Sequence, residues 1–167
     1  MNAYCVVTVD GTRARFFVLE KSAQSAAESG PLLVEQDEAL VNPENEMSGR
    51  ELWSDTRSNR NAGGGMAHSY DDHRAQHGDE MQRRFAKLVA AEAVRFAERK
   101  GAKSLVLAAE KQILGFLREA MQVPPKAEFE VRELAKDLSR LSPQELQVHL
   151  AAAGLVPARQ RPAGQPA

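Results

Sequence analysis

The chain has one cysteine, Cys5, in 167 residues, and aromatics make up only 5% of it. A single thiol excludes an intramolecular disulfide and a cysteine-cluster zinc site, and it fits a reducing compartment. An excess of one charge is missing as well. With 22 Lys+Arg against 23 Asp+Glu the net charge is -1, which excludes a generally basic nucleic-acid binder or an acidic disordered chain as a description of the whole protein. Any basic patch is therefore local. No apolar run approaches the roughly 20 residues that cross a bilayer. The opening MNAYCVVTVDGTRARFFVLE alternates and carries charge from Asp10 onward, unlike a secretory signal. The expectation is a cytoplasmic protein with no membrane partner, folded as one compact domain.

Two β-rich runs, Tyr4 to Val9 and Arg15 to Glu20, flank Asp10-Gly11. Both turn residues tolerate positive φ, so this is a hairpin pattern. After a polar spacer, Leu32 to Val41 reads as a third strand. Asp79 to Lys100 predicts an amphipathic helix with apolar Met81, Phe85, Leu88, Val89 and Phe96 and a stop at Gly101. Asp79 and Glu80 then suit the positive end of its dipole, and Arg99 and Lys100 the negative end. Ser104 to Ala109 is a strand buried on both faces, and Lys111 to Met121 a second helix stopped by Pro124-Pro125. Ala127 to Leu134 is a fifth strand. Ser142-Pro143-Gln144-Glu145 caps a last helix ending at Gly154. Three meandering strands followed by αβαβα have few compact solutions. The fold class expected is α/β, an RNase H-like mixed five-stranded sheet with helices on both faces. Residues 1–154 read as one domain, and 155–167, rich in Pro, Ala, Gln and Arg, as a disordered tail.

Between these elements, residues 42–78 lose all periodicity and turn to Asn, Ser, Gly, Asp, Arg and His. A loop of that length in a compact domain is uncommon and tends to be functional. Gly63-Gly64-Gly65 lets the backbone approach a ligand and present consecutive N–H groups. It is neither a Walker A loop nor a dinucleotide fingerprint, because no Gly-Lys-Ser/Thr follows and no strand directly precedes it. Bases at Arg50, Arg57, Arg60, Arg74, Arg83, Arg84 and Lys87 can grip phosphates. Interspersed acids make an ordinary solvated face the competing reading. His68, His73 and His77 with Asp71, Asp72 and Glu80 are dense enough to ask about zinc. No general base stands between ligands as in HExxH, and no metal site is assigned. Asp10 and Glu110 follow strands as nuclease carboxylates would, but a hairpin turn and a helix start explain them equally well.

Val9 to Phe17, Arg57 and Asn59-Arg60, Leu105 to Ala109, Leu114 to Arg118, and Glu133 to Ser139 occur in an order that resembles the bacterial host attachment protein family, proteins required for attachment to host cells. The resemblance runs over nearly the whole chain to about Leu150. That family is similar in turn to the central RNase H-like domain of archaeal and eukaryotic peptide-chain release factors, where a Gly-Gly-Gln loop precedes a long helix. Gly63-Gly64-Gly65-Met66 has the matching position but lacks the Gln that helps position water against the peptidyl-tRNA ester. The resemblance implies a module associated with RNA, the ribosome or tRNA, without cofactor. Its contacts would be Arg57, Arg60, Gly63, Gly64, Gly65, His68, His73, Arg84 and Lys87. The alternative is a non-enzymatic interaction protein that supports attachment to host cells.

Overall fold

A computed structural model describes residues 3–21, 30–44 and 67–159, with side chains in the last segment from His77 onward. Strands β1 (Tyr4–Val9), β2 (Arg13–Lys21) and β3 (Pro31–Val41) form a meander. Helix α1 (Ala67–Lys100), strand β4 (Ser104–Ala109), helix α2 (Lys111–Ala120), strand β5 (Glu130–Ala135) and helix α3 (Pro143–Ala152) follow. The five strands make one sheet in the order β3-β2-β1-β4-β5. β1, β2 and β3 pair antiparallel, whereas β4 lies parallel to both β1 and β5. This is the mixed sheet expected for the fold class, with helices on both faces.

The period-two alternation divides each strand between two cores. Cys5, Val7, Val9, Phe16, Val18, Leu105 and Leu107 face α1 and α2 and pack with Phe85, Val89, Phe96, Leu114 and Leu117. Val6, Phe17, Leu19, Val106 and Ala108 face α3 and pack with Leu146 and Leu150. Phe16 and Phe96 meet edge to face at 5.2 Å between ring centroids. All six residues of β4 are buried, as its unbroken apolar run requires.

Several expectations need correction. The β1-β2 turn does not use positive φ: among the described residues only Gly30, Gly101 and Gly154 have it. The turn is built instead on the Asp10 carboxylate, which accepts from the Thr12 N–H and hydroxyl, both at 2.7 Å, and from the Arg13 N–H at 2.8 Å. An Asx-type turn needs no left-handed residue. Helix α1 begins at Ala67 rather than Asp79, so residues 67–78 of the expected 42–78 loop are helical. Their mixed polar composition hides the period, yet extending a packed helix adds one backbone hydrogen bond per residue without a new nucleation step. Asp79 and Glu80 consequently lie inside the helix, and its first turn holds no acid. Leu88 is 52% exposed and lies outside the core. Leu155 and Val156, assigned to the tail, are buried against α3's face of the sheet. Residues 160–167 of that tail lie outside the described residues.

The helix ends behave as their sequence suggests. Gly101, at φ +65°, closes α1 with Ala102 N–H bonded to Ala97 C=O and its own N–H to Glu98 C=O. That is a Schellman motif, and it turns the chain directly into β4. Ser142 caps α3, its hydroxyl oxygen accepting from the Glu145 N–H at 3.2 Å. Its Pro143 occupies the first turn.

Two side chains tie the sheet to α3. Arg15 donates to both Glu35 carboxylate oxygens, at 2.6 and 2.9 Å, and to the carbonyls of Ser139 and Leu141, at 2.9 and 2.8 Å. This fork holds the β5-α3 connection against β2 and β3, and the Arg15 hydrogen bonds keep the Glu35 carboxyl below the ordinary glutamate range. Gln147, buried in α3, accepts from Leu33 N–H at 3.1 Å and donates to the carbonyls of Pro31, 2.9 Å, and Pro157, 3.2 Å. It thereby joins α3 and the segment after it to edge strand β3.

Candidate nucleic-acid interface at the head of the long helix

β1 and β4 run parallel with Thr8 opposite Ala108, so Asp10 and Glu110 leave neighbouring strands at the same edge of the sheet. α1 returns toward the start of β4 and therefore runs opposite to it. At about 1.5 Å per residue the helix is roughly 51 Å long, whereas a strand of β4's length spans only about 20 Å. Phe85 is the first buried residue in the described part of α1. Gln82, three residues before it, passes the turn that carries Asp10 and Gly11.

Short-range contacts brace this part of the helix. Gln82 Nε2 lies 3.4 Å from where a β-carbon on Gly11 would stand, so the turn residue is small where the helix passes. Asp79 accepts from Gln112 Nε2 at 3.1 Å, and the Arg83 guanidinium lies over the Phe116 ring, 4.9 Å from its centroid. Both pairs advance by four residues together, so α1 and α2 pack parallel. Arg84 Nε donates to Glu44 at 2.8 Å and approaches Glu80 at 3.9 Å. Glu44 is itself held by Asn42, whose side-chain oxygen accepts the Glu44 N–H at 3.1 Å and whose amide donates to Gly11 C=O, also at 3.1 Å. The end of the first strand layer and the flank of α1 are thus joined through Asn42, Glu44 and Arg84.

The expected contact residues divide accordingly. Arg57, Arg60, Gly63, Gly64 and Gly65 lie outside the described residues. His68 and His73 stand on α1, five residues or about 140° apart around its axis, so the helix does not put them on one line. His73 and His77 are one turn apart. Arg84 is committed to Glu44. Lys87 is exposed one turn beyond Arg83 on the same helix. Arg83, one of the bases of this region but outside the expected contact set, meets Phe116, a residue remote in the chain.

Asp10 and Asp137 at this edge have structural work, whereas Glu110, at the N-cap of α2, makes no side-chain capping bond. Partial burial raises the Asp10 carboxyl, but the Thr12 hydroxyl and N–H, the Arg13 N–H and the neighbouring Ser139 outweigh it and hold the group below the usual aspartate range. Asp137 accepts from the Ser139 hydroxyl at 2.6 Å. Among the described residues no group of three or more His, Cys, Asp or Glu is placed to hold a metal ion. Cys5 is buried in β1, and desolvation pushes its thiol up to about 12, which makes it a core residue and not a nucleophile. None of the described helices is long and apolar enough to cross a membrane.

Residues 5–150 match the family model described as protein required for attachment to host cells. No curated protein matches the chain.

Proposed function

The chain belongs to the family of proteins required for attachment to host cells, and from that membership we propose that it acts as an RNA- or ribosome-associated module presenting Gly63 to Gly65 at the head of α1. The observation that supports this reading is the early start of α1 at Ala67, immediately after Gly63-Gly64-Gly65-Met66 in the chain. A glycine segment leading straight into a long helix is the arrangement of the release-factor central domain that the sequence resembles. Consecutive glycines offer backbone N–H groups to an anion, and Arg57, Arg60, His68, His73 and Lys87 surround them along the chain.

The reading is one of binding, in the cytoplasm, to ribosome or tRNA. Gly65 and Met66 stand where a Gln would follow the glycine pair, so the motif lacks the side chain that helps orient water on an ester in release factors. A second reading takes the family description literally, as a non-enzymatic interaction module that supports attachment to host cells.

Co-sedimentation with ribosomes over a salt series separates the two. The intact protein should pellet with ribosomes at low salt and be released as salt rises, because phosphate contacts free counterions. Deletion of Asn61 to Met66, which leaves α1 whole, should abolish pelleting while the thermal melt stays near that of the parent. Absence from the ribosomal fraction at every salt concentration would sink the ribosome reading and send the search to partners at the cell surface.

A further inference from the structure

We infer that Arg83 and Lys87 form a phosphate-binding ridge on α1, with Phe116 of α2 as the platform that orients the Arg83 guanidinium toward a nucleic-acid backbone. The inference rests on the proposed RNA association and names the residues that would carry it within the described fold.

Arg83 and Lys87 stand one helical turn apart, which puts their β-carbons about 5–6 Å from each other on one face. The three other arginines of the helix from His77 onward are already paired, and Lys100 at its far end lies over the Phe96 ring, 6.0 Å from the centroid. Arg84 is bound to Glu44 at 2.8 Å, Arg95 to Glu92 at 2.9 Å, and Arg99 to Glu38 at 2.9 Å. Among the described residues no carboxylate lies within ion-pair distance of Arg83 or Lys87. The acid placed one turn before Arg83 is Asp79, and it is engaged by Gln112 at 3.1 Å. Glu80 is turned to Arg84. Two neighbouring cations are thus left without a carboxylate.

The ring beneath Arg83 adds the second argument. A guanidinium held over the Phe116 ring, 4.9 Å from its centroid, loses less freedom when it then meets an anion. Phe116 is 9% exposed and fixed in the core, so the platform does not move. A guanidinium engaged only by a ring keeps its N–H donors for a phosphate, which it can take through two of them. Lys87 beside it is a flexible point charge suited to the next phosphate along the strand.

The test uses the full-length protein and a short fluorescein-labelled single-stranded oligoribonucleotide, with anisotropy read from about 50 to 200 mM salt. Arg83→Gln/Lys87→Gln removes both charges. Arg95→Gln/Arg118→Gln removes two charges from paired arginines and serves as the matched control. If two phosphate contacts are lost, the salt slope falls by about 1.4, so the parent loses roughly sevenfold more affinity than the ridge variant over that range. Such a change, with the control behaving as the parent, supports the ridge. Parent binding unaffected by the ridge variant would overturn the ridge and leave the RNA reading standing. No parent binding to RNA or ribosomes would overturn both. Binding to labelled polyglutamate as tight as to RNA, and equally weakened in the ridge variant, would assign the ridge to acidic protein and overturn the phosphate assignment. Thermal melts of both variants near the parent's keep these outcomes readable.

Discussion

Gln147 offers a sharp test of how the fold is held, because one side chain serves three backbone groups. It is 2% exposed, and the Leu33 residue whose N–H it accepts is 5% exposed. In Gln147→Ala that N–H loses its partner where water does not reach, at a cost of about 1–3 kcal/mol. The carbonyls of Pro31 and Pro157 lie nearer the surface and are rehydrated, and the deleted side-chain carbons leave a small cavity worth about 1 kcal/mol more. The sum is about 2–4 kcal/mol, a large share of a typical domain stability of 5–15 kcal/mol. Urea unfolding followed by far-UV circular dichroism would read it as a lower midpoint at unchanged slope. Gln147→Glu sharpens the test. The introduced carboxyl still accepts from Leu33 but, when ionised, faces the two carbonyls with no proton to donate. Its folded pKa is therefore raised above the ordinary glutamate value near 4.3. A folded state that binds more protons than the unfolded one loses stability as pH rises through that window. The variant should be closest to the parent at about pH 4 and fall away by pH 7. A loss under about 0.5 kcal/mol for Gln147→Ala, or no pH dependence for Gln147→Glu, would refute the reasoning.

Further outcomes follow from the same contacts. Asp10→Asn should cost roughly 1 kcal/mol at neutral pH, reduced by solvent screening of a half-buried group. Since the Asp10 carboxyl is depressed in the fold, its contribution is present above the unfolded value and is lost as pH falls through the folded one. The gap between parent and variant should therefore close in acid urea titrations, and a gap that widens there would contradict the turn assignment. Phe96→Ala empties a site that is 0% exposed and in edge contact with Phe16, and a calorimetric melt should show a loss of about 3–5 kcal/mol. A change below about 1 kcal/mol would mean that α1 is not packed as described. Cys5, with its thiol at about 12 and no exposed surface, should resist a disulfide reagent in native buffer and react at the rate of global unfolding as urea is added. Fast labelling of the native protein would place Cys5 at a mobile edge.

Much of the fold was legible in the sequence because its signals are local. The hairpin, the buried run of β4, the Ser142 cap and the Gly101 stop each depend on neighbours a few residues away. The start of α1 was not legible. The polar stretch around His68 to Gly78 has no apolar period to betray a helix, and its helicity follows from continuation of the packed turns beyond Phe85. Part of the candidate site could be read as composition, as glycines, histidines and bases crowded into one stretch. Its physical state could not, since Arg84 is paired with Glu44 and Arg83 lies over the Phe116 ring through contacts remote in sequence.

What this sequence determined by itself is the order and type of its elements, and through strand alternation and crossover handedness the mixed sheet they must build. Tertiary structure alone decided which charged side chains are spent within the fold, as Arg84 is on Glu44 and Arg15 on Glu35. It also decided that Leu155 and Val156 belong to the core and that Gln147 is the join between α3 and β3. Periodicity is a property of a few consecutive residues. Pairing across the sheet, by contrast, depends on the distance between atoms that the chain brings together only when it closes on itself.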